Sequence, residues 1–424
     1  MNHIALHPAN ILLPDAEKGI EMHKWACVAC DQYTSQPEYW QQADALVADA
    51  PSTLRLTLPE IYLTEENVQQ RIDRIQHTME VYLKDALLHC YENSYIYLQR
   101  TLADGSVRHG LIGMVDLEQY SYLPGSSSQI RATEGTVLER IPPRVKIRKG
   151  APLELPHVMM LIDDRERTVI EPLAAKELPG VYDFPLMMES GSVKGFLVQG
   201  TETERIHNAL QKLIEPAAFA ERYHIAENTA PLLFAVGDGN HSLATAKACF
   251  EELKTRLSKE EWENHPARYA LVEIVNLHDT SLNFEPIHRF VENTEPEKLL
   301  AELKAACDAS ELPAEGAQKI IAAIGGKTET IYLKKTSSNL PVGTLQNFLD
   351  QYLKEHAGQV DYIHGDDVAV SLSEKAHSIS FLLPAMEKND LFSTVLLDGV
   401  LPRKTFSMGH ACDKRFYLEA RKII

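Results

Sequence analysis

Pro231-Leu232-Leu233-Phe234-Ala235-Val236-Gly237-Asp238-Gly239-Asn240-His241-Ser242-Leu243 joins an apolar run to a glycine-bearing polar turn and then to a helical stripe. The run Pro231 to Val236 reads as a short strand buried on both faces, because it carries no polar alternation. Beyond the turn, Leu243, Ala246, Phe250, Leu253 and Leu257 recur at helical spacing, which places them on one face of a helix. Glycines at 237 and 239 permit positive φ and let the backbone come close to a ligand. A helix that starts here presents unpaired N–H groups and the positive end of its dipole to the turn, a ready anion site. Asn240 and Ser242 are of the right type to cap that helix, while Asp238 and His241 add a carboxylate and an imidazole. Together they suit a bound phosphate and the movement of a proton.

Outward from the turn, strand and helix patterns alternate. Val68, Ile72, Ile75, Met79 and Leu83 mark one helix face. Ser94 to Arg100 and Val107 to Asp116 read as a hairpin across Asp104-Gly105. Further strands are expected at His157 to Asp163, Phe184 to Met188, Gly195 to Gln199, Arg268 to Asn276, Thr330 to Lys334, Ser378 to Leu383 and Leu391 to Leu397. The class is α/β, mixed α+β: a mixed sheet carrying a strand–glycine turn–helix phosphate site, with a smaller α/β lobe. Composition divides the chain into a main region at 1–291, a helix-rich lobe at 292–358 and C-terminal strands at 359–424 that return to the main region.

The bulk composition narrows the function. The 424 residues carry a formal net charge of −18, which repels nucleic acid and anionic membranes and points to a small-molecule substrate in a local basic pocket. Six cysteines in a chain of this length do not make a disulfide framework, and no leader or membrane-length apolar run is visible, so a cytoplasmic setting is expected. Cys27-Val28-Ala29-Cys30 lacks the second ligand pair that structural zinc needs, but Asp31-Gln32-Tyr33-Thr34 after it is a polar strand end of the kind that lines sites. Gly326-Lys327-Thr328 fails as a P-loop, since Ile321 stands where the first glycine belongs. Arg144, Lys146 and Arg148 alternate with Val145 and Ile147, so a strand here would show three cations on one face.

Four segments in order carry a resemblance: Arg131-Ala132-Thr133-Glu134-Gly135-Thr136, Asp238 to Ser242, Phe284-Glu285-Pro286-Ile287-His288-Arg289, and Leu401-Pro402-Arg403-Lys404-Thr405. They resemble the conserved segments of a bacterial and archaeal family catalogued as domain of unknown function 1015. The turn is also similar, as a short motif, to those of ParB-like, sulfiredoxin-like and free-serine-kinase proteins, which grip nucleotide phosphates. The resemblance implies site roles for Arg131, Glu134, Asp238, Gly239, His241, His288, Arg403 and Lys404. Asn240 stands where the family has a histidine and Ser242 where it has an arginine, so a bidentate phosphate donor is missing. The Arg144 and Arg148 stripe is the expected replacement.

The reading that follows is a phosphoryl-transfer enzyme on a small hydroxylated metabolite, with serine or O-phosphoserine the leading candidate and kinase and phosphatase directions both open. Gly237 to Ser242 would cradle the phosphate, Asp238 with Glu134 would hold Mg²⁺ or another divalent ion, and His241 would act as acid or base. Arg131, Arg144, Arg148 and Lys404 would supply positive field, and ATP or ADP would be the nucleotide. A non-catalytic nucleotide-binding regulator of ParB-like type and an enzyme on a carboxylated, non-phosphorylated metabolite are the alternatives.

Overall fold

The computed structural model describes residues 3–123, 125–135, 141–402 and 404–424. Contacts divide the chain into two compact units, Met1–Leu282 with His410–Ile424, and Asn283–Gly409.

The first unit is built on a large mixed sheet. Its strands lie in the order Gly180–Pro185, Ser192–Val198, Leu88–Thr101, Val107–Asp116, Tyr269–Asn276, Met159–Ile162, Phe234–Asp238, Ile130–Ala132 and Tyr120–Ser121. The first five pair antiparallel. Tyr269–Asn276 runs parallel to Met159–Ile162, and Phe234–Asp238 runs parallel to Ile130–Ala132 but antiparallel to Met159–Ile162. Alternate residues feed two cores, one on each face: Ile96 and Leu98 join the core of Trp25 and Trp40, Tyr95 and Tyr97 that of Phe234 and Phe250. The expected central strand is thus buried on both sides. The helix behind it spans Asn240–Lys254, and Leu243, Ala246 and Phe250 are its buried stripe.

The C-terminal segment is stitched into this unit by strand pairs, Phe416–Tyr417 on Cys27–Val28 and Arg421–Lys422 on Leu153–Glu154. Buried charges reinforce it. The Arg415 guanidinium lies 3.3 Å from Glu273 and bonds Glu419, whose other oxygen accepts from the Tyr182 hydroxyl at 2.5 Å. Glu273 also receives Arg108 at 3.3 Å. A Cβ at Gly110 would stand 2.7 Å from the Glu273 carboxylate, so glycine there makes room for the buried charge.

The second unit is an antiparallel sheet in the order Lys327–Leu333, Gln318–Ile324, Ser378–Leu382, Phe284–Glu292, Gln359–His364. Helices Pro296–Ala306, Pro341–Glu355, Asp366–Leu372 and Asp390–Leu397 accompany it. The last corrects the strand expected at Leu391 to Leu397. A continuous apolar run of that length fits either element, and here it packs as a helix with Leu391, Phe392 and Val395 buried. Arg144 to Arg148 is likewise helical, within Ile141–Arg148. The prolines at 142 and 143 fall in its first turn, where a missing N–H costs nothing.

Glu273→Ala should destabilise the protein by about 3–5 kcal/mol, since it removes the carboxylate of buried Arg108 and one of the two that hold buried Arg415. Urea unfolding of the variant against wild type measures this, and a change under about 1 kcal/mol would refute the role given to the pair.

Candidate functional site

The site is built around the C-terminal end of Phe234–Asp238. Pairing with Met159–Ile162 shifts register between Val236 and Asp238, so Gly237 sits at a bulge that re-aims the residue after it. The positive φ falls on Gly239, at +78°, and not on Gly237. Gly239 is the N-cap of the helix Asn240–Lys254 and offers no side-chain cap. Asn240 and Ser242 are therefore not caps. The Asn240 amide turns back towards the Val236 carbonyl and the Thr133 hydroxyl, at 3.4 and 3.5 Å. Asp238 accepts the Gly239 N–H at 2.9 Å with one oxygen and meets the Lys414 ammonium at 3.2 Å with the other.

Close packing explains Gly239. A Cβ there would lie 2.8 Å from the His157 ring and 3.0 Å from the Val158 backbone. His157 is thus a wall of the turn, and it heads a chain of polar contacts. Its Nε2 is 3.2 Å from the Asp31 carboxylate, and its Nδ1 is 2.7 Å from the Tyr417 hydroxyl, which donates to Cys30 Sγ at 3.1 Å. Burial alone would lower the His157 pKa, but the Asp31 carboxylate, aided by Tyr417, outweighs it and holds the imidazole well above its usual value. Burial likewise opposes the Asp31 charge, and His157, Gln32 and Lys414 overcome it and depress that carboxyl. The pair is an imidazolium and a carboxylate.

These residues border a cavity of about 150 Å³, lined among others by Cys30, Arg144, Arg148, His157, Ser242 and Tyr417. Arg144 and Arg148, one helical turn apart, both reach it. Each is already matched, Arg144 by Glu60 and Arg148 by Glu154 at 2.5 Å. The cation paired at the turn itself is Lys414.

The remaining expected residues fall into three places. Glu134 follows Thr133, whose hydroxyl donates to the Val236 carbonyl at 2.6 Å, so it stands beside the turn, partly exposed. His241 lies in the first helical turn and is partly buried. Arg131 is a correction: its guanidinium donates to the carbonyls of Ser128 and Ala230, at the opposite end of the strands from the turn. The anion clamp expected of it is thus directed elsewhere.

His288 and Lys404 belong to the second unit. The His288 ring, buried, accepts the Leu383 N–H at 3.1 Å and meets Asp366 at 2.8 Å, so both nitrogens are engaged in holding that sheet. The Lys404 carbonyl accepts from Arg289 at 3.0 Å. Arg403 lies outside the described residues. Among the described residues no three metal-ligating side chains converge. With both Asp238 oxygens engaged, the turn as folded does not fit a protein-held divalent ion.

The sequence model described as "Protein of unknown function (DUF1015)" matches residues 13–352. The chain belongs to the DUF1015 family. No curated protein matches it. Solved structures with some likeness include a conserved hypothetical protein from Pyrococcus furiosus, at 12% identity over 72% of this chain and 90% of that one, TM-score 0.34. A free serine kinase variant in complex with AMP is 10% identical over 73% and 91%, TM-score 0.39. SbnI from Staphylococcus aureus, with a C-terminal truncation, is 10% identical over 70% and 83%, TM-score 0.35. Among the described residues of this DUF1015 protein, no helix is long and apolar enough to cross a membrane.

Asp31 lies in the polar run that the sequence marks as a strand end of the kind that lines sites, whereas His157, Lys414 and Tyr417 carry no such signal. The polar run that opens at Asp31 was the one local signal.

Two outcomes are expected. His157, with its pKa raised in the fold, adds stability that is complete below about pH 6.5 and is lost as pH rises through the raised value. Asp31, depressed, adds stability that is complete above about pH 3.9 and is lost as pH falls through its folded value. The melting-temperature gap between wild type and His157→Gln should therefore be widest between these limits and shrink on the alkaline side. A gap that stays flat from acid to alkaline pH would count against the ion pair. Gly239→Ala should cost about 1–3 kcal/mol, from left-handed strain and the His157 clash, and should shift the His157 imidazole resonances in an NMR spectrum.

Proposed function

We propose that this protein is a phosphoryl-transfer enzyme acting on a small hydroxylated metabolite, with serine or O-phosphoserine the leading candidate and an adenine nucleotide as the phosphoryl partner. The observation that carries the reading is the uncapped helix start at Gly239, with the Lys414 ammonium against Asp238 before it and Ser242 of its first turn lining a small cavity. Phosphoryl transfer asks chiefly for positioning and charge neutralisation, which backbone N–H groups and one well-placed cation provide.

In this reading the first turn of Asn240–Lys254 holds the phosphate and Lys414 balances its charge. Ser242 orients the metabolite in the cavity. The His157 imidazolium, kept protonated by Asp31 and with both ring nitrogens held, adds positive charge behind the turn, and His241 takes the proton of the attacking hydroxyl or returns one to the leaving oxygen in the reverse direction. The cavity is about 150 Å³, a size that admits a molecule no larger than benzene or a small amino acid, so the metabolite and not the nucleotide base belongs there. Glu134, next in the chain to Thr133, would add a carboxylate beside the turn.

The test follows phosphorus species by NMR in two incubations, one with serine plus ATP or ADP and Mg²⁺ in solution, one with O-phosphoserine alone. Turnover in one direction is expected. Lys414→Met should lower kcat by about 100-fold or more, and His241→Ala by about 100-fold. Absence of turnover in both incubations would overturn the reading. Turnover that survives Lys414→Met would remove that cation from it.

A further inference from the structure

Cys30, His157 and Tyr417 line the cavity of about 150 Å³ at the glycine turn. We propose that Cys30 is a nucleophilic thiol, built by His157, Asp31 and Tyr417 into a site that small hydroperoxides oxidise.

The cluster has the parts that nucleophilic sites share: a nucleophile, an imidazole within its reach, and a third group that orients the imidazole. Cys30 Sγ lies 4.0 Å from His157 Nδ1, and His157 Nε2 lies 3.2 Å from the Asp31 carboxylate. The Tyr417 hydroxyl touches both sulfur and ring, at 3.1 Å from Sγ and 2.7 Å from Nδ1. The charge on His157 fixes the sense of these bonds. An imidazolium carries a proton on each nitrogen, so Nε2–H goes to Asp31 and Nδ1–H to the Tyr417 oxygen. The Tyr417 proton is left for sulfur. Burial, with Cys30 beside it, holds that phenol well above its usual pKa, so it stays a donor. Donation at Sγ answers the negative charge that forms there as the thiol proton leaves.

The backbone holds the thiol in place. The Cys30 N–H donates to the Tyr417 oxygen at 3.3 Å, and the Cys30 carbonyl accepts the Glu60 N–H at 2.8 Å. Other cysteines stand in different surroundings. Cys27 is buried, and burial pushes its thiol up to about 12. Cys90 is exposed, but partial burial of its sulfur and the Glu92 carboxylate push its thiol up. Exposure alone ranks Cys90 first for chemical attack, whereas the polar surroundings rank Cys30 first.

The cavity sets the size of the reagent. At about 150 Å³, with Leu58, Leu63 and Ile147 in its wall, it admits hydrogen peroxide or a short alkyl hydroperoxide and is too small for a peptide disulfide. In the step, the terminal oxygen of the hydroperoxide, with its hydrogen, bonds Sγ as the O–O bond breaks. Sulfur gives up two electrons, and the departing oxygen takes the thiol proton and leaves as water or an alcohol. Cys30 becomes a sulfenic acid. This inference does not rest on the reaction proposed above, since it is read as a covalent adduct.

The full chain is treated with hydrogen peroxide or tert-butyl hydroperoxide, sulfenic acid is trapped with dimedone, and adducts are located by peptide mass spectrometry. Cys30 should be labelled about tenfold faster than Cys90 in buffer, and the two should react alike in urea, where the cluster is taken apart. Glutathione disulfide should leave Cys30 unmodified. Tyr417→Phe removes the donor and keeps the ring. It should slow labelling of Cys30 by about tenfold, the loss expected for one charge-assisted hydrogen bond, and leave Cys90 unchanged. The proposal is overturned if Cys90 reacts first, if glutathione disulfide modifies Cys30 as readily as peroxide, if the lead of Cys30 survives urea, or if Tyr417→Phe keeps the wild-type rate. Should Tyr417→Phe fail to fold, the wild-type comparison of buffer with urea decides by itself.

Discussion

The buried Arg415 guanidinium, held between Glu273 on a central strand and Glu419 four residues ahead, is the constraint on which the candidate site depends. Its burial makes it demanding: a guanidinium taken from water must be matched by carboxylates of good geometry, or it destabilises the fold by several kcal/mol. That demand allows few positions for the C-terminal segment. With Arg415 anchored, Lys414 falls next to Asp238 and Tyr417 next to His157. The chain reaches this point only after the second unit, 283–409, has been traversed. Two of the site's polar groups therefore arrive from the far end of the sequence, and they are fixed by electrostatics in the core and not by the local conformation of the tail.

The turn itself is a local matter. A bulge at Gly237 shifts the register so that Asp238, still paired with Met159, ends the strand, and left-handed Gly239 starts the helix with no side chain in the way. Each glycine answers a different need, one for strand irregularity and one for close approach to His157. The result is a helix start whose polarity favours an anion, flanked by a cation that is itself partly neutralised by Asp238. An incoming phosphate would compete with that carboxylate for Lys414. Such competition makes the cation available when the ligand arrives, without leaving an unpaired charge in its absence.

This division explains what could be read from the sequence. The strand, turn and helix were legible because their signals lie within about twenty contiguous residues: an apolar run, two glycines and a 3.6-residue stripe. The mixed α/β class followed from alternating patterns of the same kind. Asp31, His157, Lys414 and Tyr417 were not legible as one site, because nothing local to any of them specifies the other three. Arg144 and Arg148 were singled out correctly as a pair of cations near one another, but for the wrong geometry. Alternation over five residues cannot separate a strand from a helix in which positions four apart share a face. The carboxylates that match them, Glu60 and Glu154, come from segments with no sequence relation to them. Arg131 shows the converse error, in which a motif position was read as a site residue although its guanidinium serves backbone carbonyls.

The net charge of −18 takes on a different meaning once the pairing is known. An acidic surface repels anions at long range, so an anion site in this protein must work at contact distance, where screening by salt matters least. The turn and its cavity fit that condition. At the turn, Arg144, Arg148 and Lys414 each lie against a carboxylate, and backbone N–H groups provide polarity that needs no compensating charge. Matched pairs keep each guanidinium oriented and cost little to desolvate further, whereas unpaired cations in so acidic a chain would draw in its own side chains. In the proposed reading, selectivity for a ligand would come from the small unbalanced remainder, the helix start and the shared Lys414.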